Sequence, residues 1–392
     1  MRLPMTDPKV CVIGAGAIGL ESARQLARRG LSDVTVLEAS HVAAGSSGLS
    51  VGIVESQYLD PLEIELRVRA LHAFAALELE HGLTIVRNGY LRLGHDEGDA
   101  ERFQQSVEIH RSLGIGDVRV LGADAIASLV PELRTDDLHA GLWGPSSGFI
   151  DGHSYCSLLA ELAAADGVRV LTGSPLLDAR ISGGRHVLRT PGGEHLCDYV
   201  VNAAGAWGDR VARLLGTELP LLPQRHQATA VHLPRALGYL MPSVMDYTPR
   251  SGEEGLYFRH ERTGQLVAGL HSEEAVEGIA DPDGYARSVD TSFLESVAAK
   301  LAARLPGLAD STLSHGWAGL YPVSPDGLPQ VGPARGTDTV ISAGGAGGAG
   351  IQQAPVLGEL VADWIVHGEP RAISDGLRLA PRRASLGSDR RN

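Results

Sequence analysis

Val10-Cys-Val-Ile-Gly-Ala-Gly-Ala-Ile-Gly19, followed by Val34-Thr-Val-Leu-Glu38, decides the fold. Val10–Ile13 is a wholly apolar run that reads as a buried strand, and Val34–Leu37 reads as a second. Between them Ile18, Leu20, Ala23, Leu26 and Ala27 recur at helical spacing. Strand, glycine turn, helix and parallel strand within about 30 residues make a βαβ unit. Gly14, Gly16 and Gly19 fit G-x-G-x-x-G at the strand-to-helix turn. The first permits the tight turn, the second lets backbone approach a diphosphate, and the third lets helix and strand pack closely. The helix N-terminus then offers amide donors and the positive end of a dipole to that diphosphate. Glu38 closes the second strand, where a carboxylate accepts from an adenosine ribose 2′-hydroxyl and repels a 2′-phosphate. NADP is disfavoured, and NAD and FAD both remain.

Outward from this unit, 392 residues allow two or three domains of roughly 100–200 residues each. Hydrophobic residues at 43% and charged residues at 21% exclude wholesale disorder and coiled coil. The net charge of −13 argues against nucleic acid as a partner. Cys11, Cys156 and Cys197 are too few and too scattered for a disulfide framework or zinc cluster, which fits a reducing cytoplasm. MRLPMTDPKV has no apolar signal region, and charges interrupt every stretch before the ~18 apolar residues a membrane span needs. No metal site is expected, since the 15 histidines form no H-x-x-x-H or H-E-x-x-H run. The 49 glycines, against a usual ~7%, need either linkers or sites of close backbone approach.

Val168–Leu171 and Tyr199–Asn202 read as further buried strands, and Ser157–Ala165, Phe293–Ala303 and Val356–Ile365 as helices. The spacing implies a nucleotide domain made of residues 8–84, 146–219 and 316–370. A substrate domain of residues 85–145 and 220–315 interleaves with it. Residues 371–392 hold six Arg and two Asp without apolar periodicity and are expected to form a loose basic tail.

Four motifs then resemble the FAD-dependent D-amino-acid oxidase superfamily, in its glycine oxidase and sarcosine oxidase or dehydrogenase branch, over residues 9–370. Ala44-Gly-Ser-Ser-Gly48 is similar to the loop of small residues that wraps the flavin diphosphate. Tyr199-Val-Val-Asn-Ala-Ala-Gly-Ala-Trp207 is similar to the strand whose Ala-Gly end passes the flavin. Trp317-Ala-Gly-Leu-Tyr-Pro-Val-Ser-Pro-Asp-Gly-Leu-Pro-Gln-Val-Gly332 resembles W-A-G-L-R-P-x-T-P-D-G-x-P-x-I-G. Gly344-Gly-Ala-Gly-Gly-Ala-Gly350 with Ile351-Gln-Gln-Ala-Pro355 resembles the glycine loop against the flavin ring. Alone, that loop also reads as a flexible linker. The resemblance implies an α/β fold with a Rossmann-like FAD-binding domain of the glutathione-reductase type and an interleaved α+β substrate domain on an antiparallel sheet. It implies FAD contacts from Gly14, Gly16, Ala17, Ile18, Gly19, Glu38, Ala39, Gly45, Ser46, Ser47, Gly48, Leu176, Ala204, Gly205 and Trp207. Arg225, Gly345, Gly347, Gly348, Ala349, Gly350, Ile351 and Gln352 complete the implied set.

The implied chemistry is hydride transfer from a carbon bearing an amine to flavin N5, leaving an imine that water hydrolyses, with O2 or an electron carrier as final acceptor. Here the chain departs from its relatives. The family Arg of G-L-R-P is Tyr321, and the Arg and Lys of sarcosine oxidases align with Glu55 and Gln352. With only Lys9 and Lys300 in the chain, a replacement cation must be Arg or His. Arg259 is the foremost candidate, with a surface strand arginine as the alternative. Tyr257 matches a family tyrosine that hydrogen-bonds a substrate carboxylate, or is a core aromatic. Arg225 lies in a stretch like P-x-R-G-Q near the flavin ring, or makes a structural salt bridge. Glu55 binds a cationic amine or is merely solvated, and His271 joins the pocket or packs beside it. Gly319 stands where a covalent cysteine would be, and residues 48–52 hold no histidine, so non-covalent FAD is expected. The expected substrate is an amino acid or secondary amine, N-substituted glycines foremost. Alternatives are a D-amino acid dehydrogenase, a flavin-binding subunit active only in a larger complex, and an NAD-linked dehydrogenase.

Overall fold

The opening unit forms β1 (Val10–Ile13), α1 (Ala17–Arg28) and β2 (Val34–Leu37) in a computed structural model that describes residues 7–247, 254–272, 278 and 281–381. β1 pairs in parallel with β2 on one side and with the strand Tyr199–Asn202 on the other. The six-stranded sheet runs Gln330–Pro333, Val340–Gly344, Tyr199–Asn202, β1, β2, Arg169–Leu171. Only Gln330–Pro333 is antiparallel to its neighbour. Strands buried on both faces account for the unbroken apolar runs. The helices α1, Gly152–Ala165 and Gly350–His367 cover one face and share its core with Pro61–His81.

A second sheet of eight strands runs Thr312–Val323, Leu222–His232, Gln265–His271, Gly255–Arg262, Ser243–Asp246, Tyr90–Gly94, Ala140–Gly144, Arg119–Leu121. It is antiparallel except where Ser243–Asp246 pairs with Tyr90–Gly94. Side-chain alternation gives this sheet two different faces. Leu91, Leu93, Val244, Leu256, Phe258, Leu266 and Ala268 pack with Phe293, Val297 and Leu301 of the helix Thr291–Arg304. The alternate positions, among them Tyr257, Arg259 and Gly269, fall on the opposite face.

Two expectations need correction. The domain boundary between residues 315 and 316 falls inside one continuous strand, Thr312–Val323, which pairs along the length of Leu222–His232. Its apolar and small residues extend a ladder that no sequence break interrupts. The tail does not begin at Arg371. The amides of Arg371 and Ala372 donate to the Asp363 carboxylate at 2.7 and 2.8 Å, and Ser374 binds Glu65. Ile373 and Leu379 are buried in the main core. Residues 382–392 of the expected tail, and residues 1–6, lie outside the described residues. Among the described residues no helix is long and apolar enough to cross a membrane.

Docking of this segment predicts a contrast between two leucines. Leu379 is fully buried and Leu377 is 65% exposed. Leu379→Ala should lower the unfolding free energy by about 2–5 kcal/mol, and Leu377→Ala by under about 0.5 kcal/mol. Urea titrations of both variants measure the difference, and equal small losses would return the segment to a loose tail.

Candidate active site

The carboxyl ends of β1, β2, Tyr199–Asn202 and Val340–Gly344 open on one elongated cavity of about 590 Å³. Open α/β sheets hold ligands at this edge, and the volume suits a small-molecule site. Gly14 enables the geometry: its φ is +106°, and a Cβ there would stand 2.6 Å from the Ala203 carbonyl oxygen. Gly16, Ala17 and Ile18 line the cavity, so α1 presents its N-terminus to it. The Glu38 carboxylate accepts from the Ala15 and Ser40 amides at 2.8 Å each, which fixes it at the cavity wall with lone pairs to spare. Ser47 Oγ accepts from the Ala17 amide at 3.1 Å, and Ser46 Oγ donates to the Leu320 carbonyl at 2.5 Å. Ala39, Gly45, Leu176, Ala204, Gly205 and Trp207 continue the wall.

The eight-stranded sheet closes the other side with His226, Gln227, Ala228, Tyr257, Trp317 and Tyr321. Neither the Tyr257 nor the Tyr321 hydroxyl has a hydrogen-bond partner among the described residues. Burial pushes the Tyr257 phenol well above its usual range and the Tyr321 phenol up to about 12. Both are therefore protonated donors at neutral pH. The His226 ring stacks on Tyr321 with centroids 3.9 Å apart and planes 18° from parallel. Burial pushes this imidazole down to about 4, so it is uncharged.

Residues 281–290 bridge the cavity rim. Asp283 accepts from Trp207 Nε1 and Arg210 Nη1, both at 2.7 Å, and Asp281 accepts from Arg210 Nη2 at 2.8 Å. At the other end Asp290 pairs with Arg225 at 2.6 Å, and the Arg287 carbonyl accepts from the Ala318 amide at 2.9 Å.

A family model described as FAD-dependent oxidoreductase, the DAO family, matches residues 9–364. The chain belongs to this family. The FAD-dependent oxidoreductase is 29% identical over 379 residues to the mitochondrial dimethylglycine dehydrogenase of Rattus norvegicus, covering 92% of the chain. It spans only 43% of that relative's length. It is 26% identical over 370 residues to the glycine oxidase of Geobacillus kaustophilus, covering 92% of the chain and 93% of the relative. Among solved structures it is similar to L-proline dehydrogenase from P. horikoshii, with a TM-score of 0.86, 25% identity, and coverage of 98% and 99% of the two chains. The cofactor is FAD. The cavity fits it: helix amides for a diphosphate, an oriented carboxylate for a ribose, and a glycine loop ahead of the helix Gly350–His367 for a flat ring system.

Several expected site residues do not line this cavity. Arg225 turns away, donating to the Ala286 carbonyl at 2.8 Å and pairing with Asp290, so its role is to hold the bridge. Arg259 donates to the Val51 carbonyl at 2.6 Å, pairs with Glu261 at 2.5 Å and lies 4.0 Å over the Phe149 ring. Facing the nucleotide domain, it is consumed in bracing the loop at Val51. Glu55 is buried against Arg67 at 3.3 Å and against Gln352, so neither Glu55 nor Gln352 reaches the cavity. His271 packs edge-on to Tyr247 at 4.8 Å, and burial pushes it down to about 4. Gly19 serves packing, since a Cβ would stand 2.0 Å from the Gly14 carbonyl oxygen. Gly48 faces Ala43 and His153, and Gly345 faces Leu221 and Ser324. Ala349 caps the helix Gly350–His367, while Gly347, Gly348, Gly350 and Ile351 line the cavity. Unanticipated lining residues include His226, Arg210, Asp283 and Arg287. The period of two along Leu222–His232, with Arg225 facing away, was the signal available for His226.

The two depressed histidines give a pH prediction. His226 and His271 take up protons more readily unfolded, where the pKa is near 6.5, than folded, where it is about 4. Stability therefore falls as pH drops from 6.5 towards 4, by about 1–2 kcal/mol per histidine between pH 7 and pH 5. Urea unfolding should show His226→Phe losing less stability over that window than the parent chain. At the rim, Arg210→Met should speed FAD dissociation roughly two- to fivefold, since exposed ion pairs are worth 0.2–1 kcal/mol each. Recovery of flavin fluorescence on dilution reads the rate, and an unchanged rate would show that the bridge does not retain the cofactor.

Proposed function

We propose that this FAD-dependent oxidoreductase oxidises a C–N bond of an amino acid or secondary amine, with N-substituted glycines as the leading class. The carrying observation is the pair of protonated phenols, Tyr257 and Tyr321, that line the FAD cavity with no hydrogen-bond partner among the described residues. The names of the relatives, dimethylglycine dehydrogenase and glycine oxidase, support the same class.

Bound FAD supplies a two-electron acceptor. The chain has to hold a neutral amine with its C–H against that acceptor and keep bulk water away, rather than supply a strong acid or base. Tyr257 donates to a substrate carboxylate oxygen from the sheet side. Tyr321, pinned between His226 and Gly348, supplies the second donor and fixes the depth to which the substrate enters. Loss of the hydride from carbon and of the proton from nitrogen leaves an imine, and water then gives the amine and an oxo acid. FAD is held without a covalent link, and O2 or a carrier takes the electrons onward in the cytoplasm.

The proposal predicts anaerobic bleaching of the flavin by N-alkylglycines. Bleaching by D-amino acids alone would move the chain to a D-amino acid dehydrogenase, and a yellow chain inert to every amine would favour a flavin-binding subunit. Tyr257→Phe should keep its FAD and raise KM roughly ten- to hundredfold, the worth of a hydrogen bond to a charged group. Arg259→Ala should leave KM unchanged and lower Tm, because its partners belong to the protein. A KM increase in that variant would put Arg259 back in the pocket.

A further inference from the structure

The chain is poor in aromatic residues, 5% of its length, yet four of them, Trp207, Tyr257, Trp317 and Tyr321, line one cavity with His226 beside them. Within this group His226 and Tyr321 form an ordered stack. Tyr321 is backed by the glycine loop, where a Cβ on Gly348 would stand 2.5 Å from its ring. Its ring partner is the imidazole of His226 at 3.9 Å. The two come from adjacent strands, Leu222–His232 and Thr312–Val323, whose register sets Gln224 opposite Tyr321 and His226 opposite Gly319. Gly319 adds no side chain over the imidazole. His226 is half-buried and lines the cavity together with Tyr321. No acidic side chain neutralises it: its only side-chain hydrogen-bond partner among the described residues is Gln224, at 3.4 Å.

We propose that the His226–Tyr321 stack is the specificity element of the amine cavity, an uncharged aromatic wall that seats a flat substituent of the substrate. This deepens, and rests on, the reading of the cavity as an amine-oxidising site. The favoured substrates are amines whose carboxylate reaches Tyr257 and whose other substituent is aryl or similarly planar. Such a group extends the stack by offset or edge contact with the imidazole, and aromatic pairs of this kind gain beyond their buried area. A methyl group or hydrogen in the same place leaves the imidazole face uncovered. His226 is on this account a positioning residue, acting on the substrate's substituent and not on the reacting bond.

The test uses the FAD-loaded chain and two inert acids that differ by one ring, acetate and phenylacetate. Each is titrated against the visible absorbance of the bound flavin to give a Kd. Phenylacetate should bind at least tenfold tighter than acetate. His226→Ala should cut that ratio threefold or more, while His226→Phe, which keeps a ring and removes the nitrogens, should preserve it. The absorbance ratio at 450 and 280 nm shows that each variant still carries FAD. Equal affinities for the two acids, failure of both to bind, or an unchanged ratio in His226→Ala would overturn the proposal. A wall that served the flavin alone would raise FAD dissociation in His226→Ala and leave the acid ratio intact, which also overturns it. The amine-oxidising reading fails separately, if no amine bleaches the flavin anaerobically, whatever the acid ratio.

Discussion

The absence of a side chain at Gly14 is the constraint on which the site depends. Its amide donates to the Leu37 carbonyl at 2.8 Å, and a Cβ would collide with the Ala203 carbonyl at 2.6 Å. Three strand ends, those of β1, β2 and Tyr199–Asn202, therefore meet within one backbone thickness. Gly19 then lets α1 lie directly on the turn, so the helix axis points its N-terminus into the space the strands leave. A methyl group at either position would push the helix off the sheet and separate Glu38, held by the Ala15 amide at 2.8 Å, from the helix amides beside it. The diphosphate and ribose contacts of a dinucleotide are thus consequences of one close approach.

A second constraint fixes the flavin-facing end. Arg67 is buried between Glu55 at 3.3 Å and Glu63, and its guanidinium lies 3.7 Å over the Tyr58 ring. Gln353 donates to Glu63 at 3.0 Å, and Gln352 accepts from the Glu55 amide at 3.2 Å. This network ties the helix Pro61–His81 and the strand Ile53–Val54 to the first turn of Gly350–His367. A buried ion pair adds little net stability over apolar packing, but losing one partner leaves an uncompensated charge worth about 3–5 kcal/mol. Its effect is positional: the glycine loop and helix start that line the cavity cannot shift without breaking it. Glu55 and Gln352, aligned with substrate-binding cations of relatives, are held in this network and do not line the cavity.

The motifs legible in the sequence were those whose physics is local. G-x-G-x-x-G, the Ala44–Gly48 loop and the Gly344–Gly350 loop each need small residues at fixed short spacing, and most of their members line the cavity. The charged candidates failed because a motif does not show which partners a charge meets, whether 65 residues away, as Asp290 is from Arg225, or two, as Glu261 is from Arg259. Arg225 is neutralised by Asp290, and Arg259 is held by Val51 from another domain. Motif alignment places such a residue on a strand but not on a face of it. His226 was missed for the complementary reason: the period of two along Leu222–His232 puts it on the face opposite Arg225, but only the folded sheet shows it stacked on Tyr321. The segment after Arg371 looked loose because its two buried anchors, Ile373 and Leu379, are too few to show a period.

The folded chain is acidic, and neither Arg225 nor Arg259 lines its cavity, whereas the phenols Tyr257 and Tyr321 do. On the proposed reading a carboxylate entering there meets the hydroxyl donors of Tyr257 and Tyr321. Neutral donors give direction and discriminate sharply by shape, because an unmatched phenol loses its only partner, but they contribute less attraction than an Arg fork. Binding energy for a small zwitterion such as glycine would be meagre in such a site. The remainder has to come from apolar and aromatic contact with the rest of the substrate, and the His226–Tyr321 stack is the surface built to supply it. Replacement of a charged anchor by an aromatic one therefore moves recognition from the group all amino acids share to the substituent that distinguishes them.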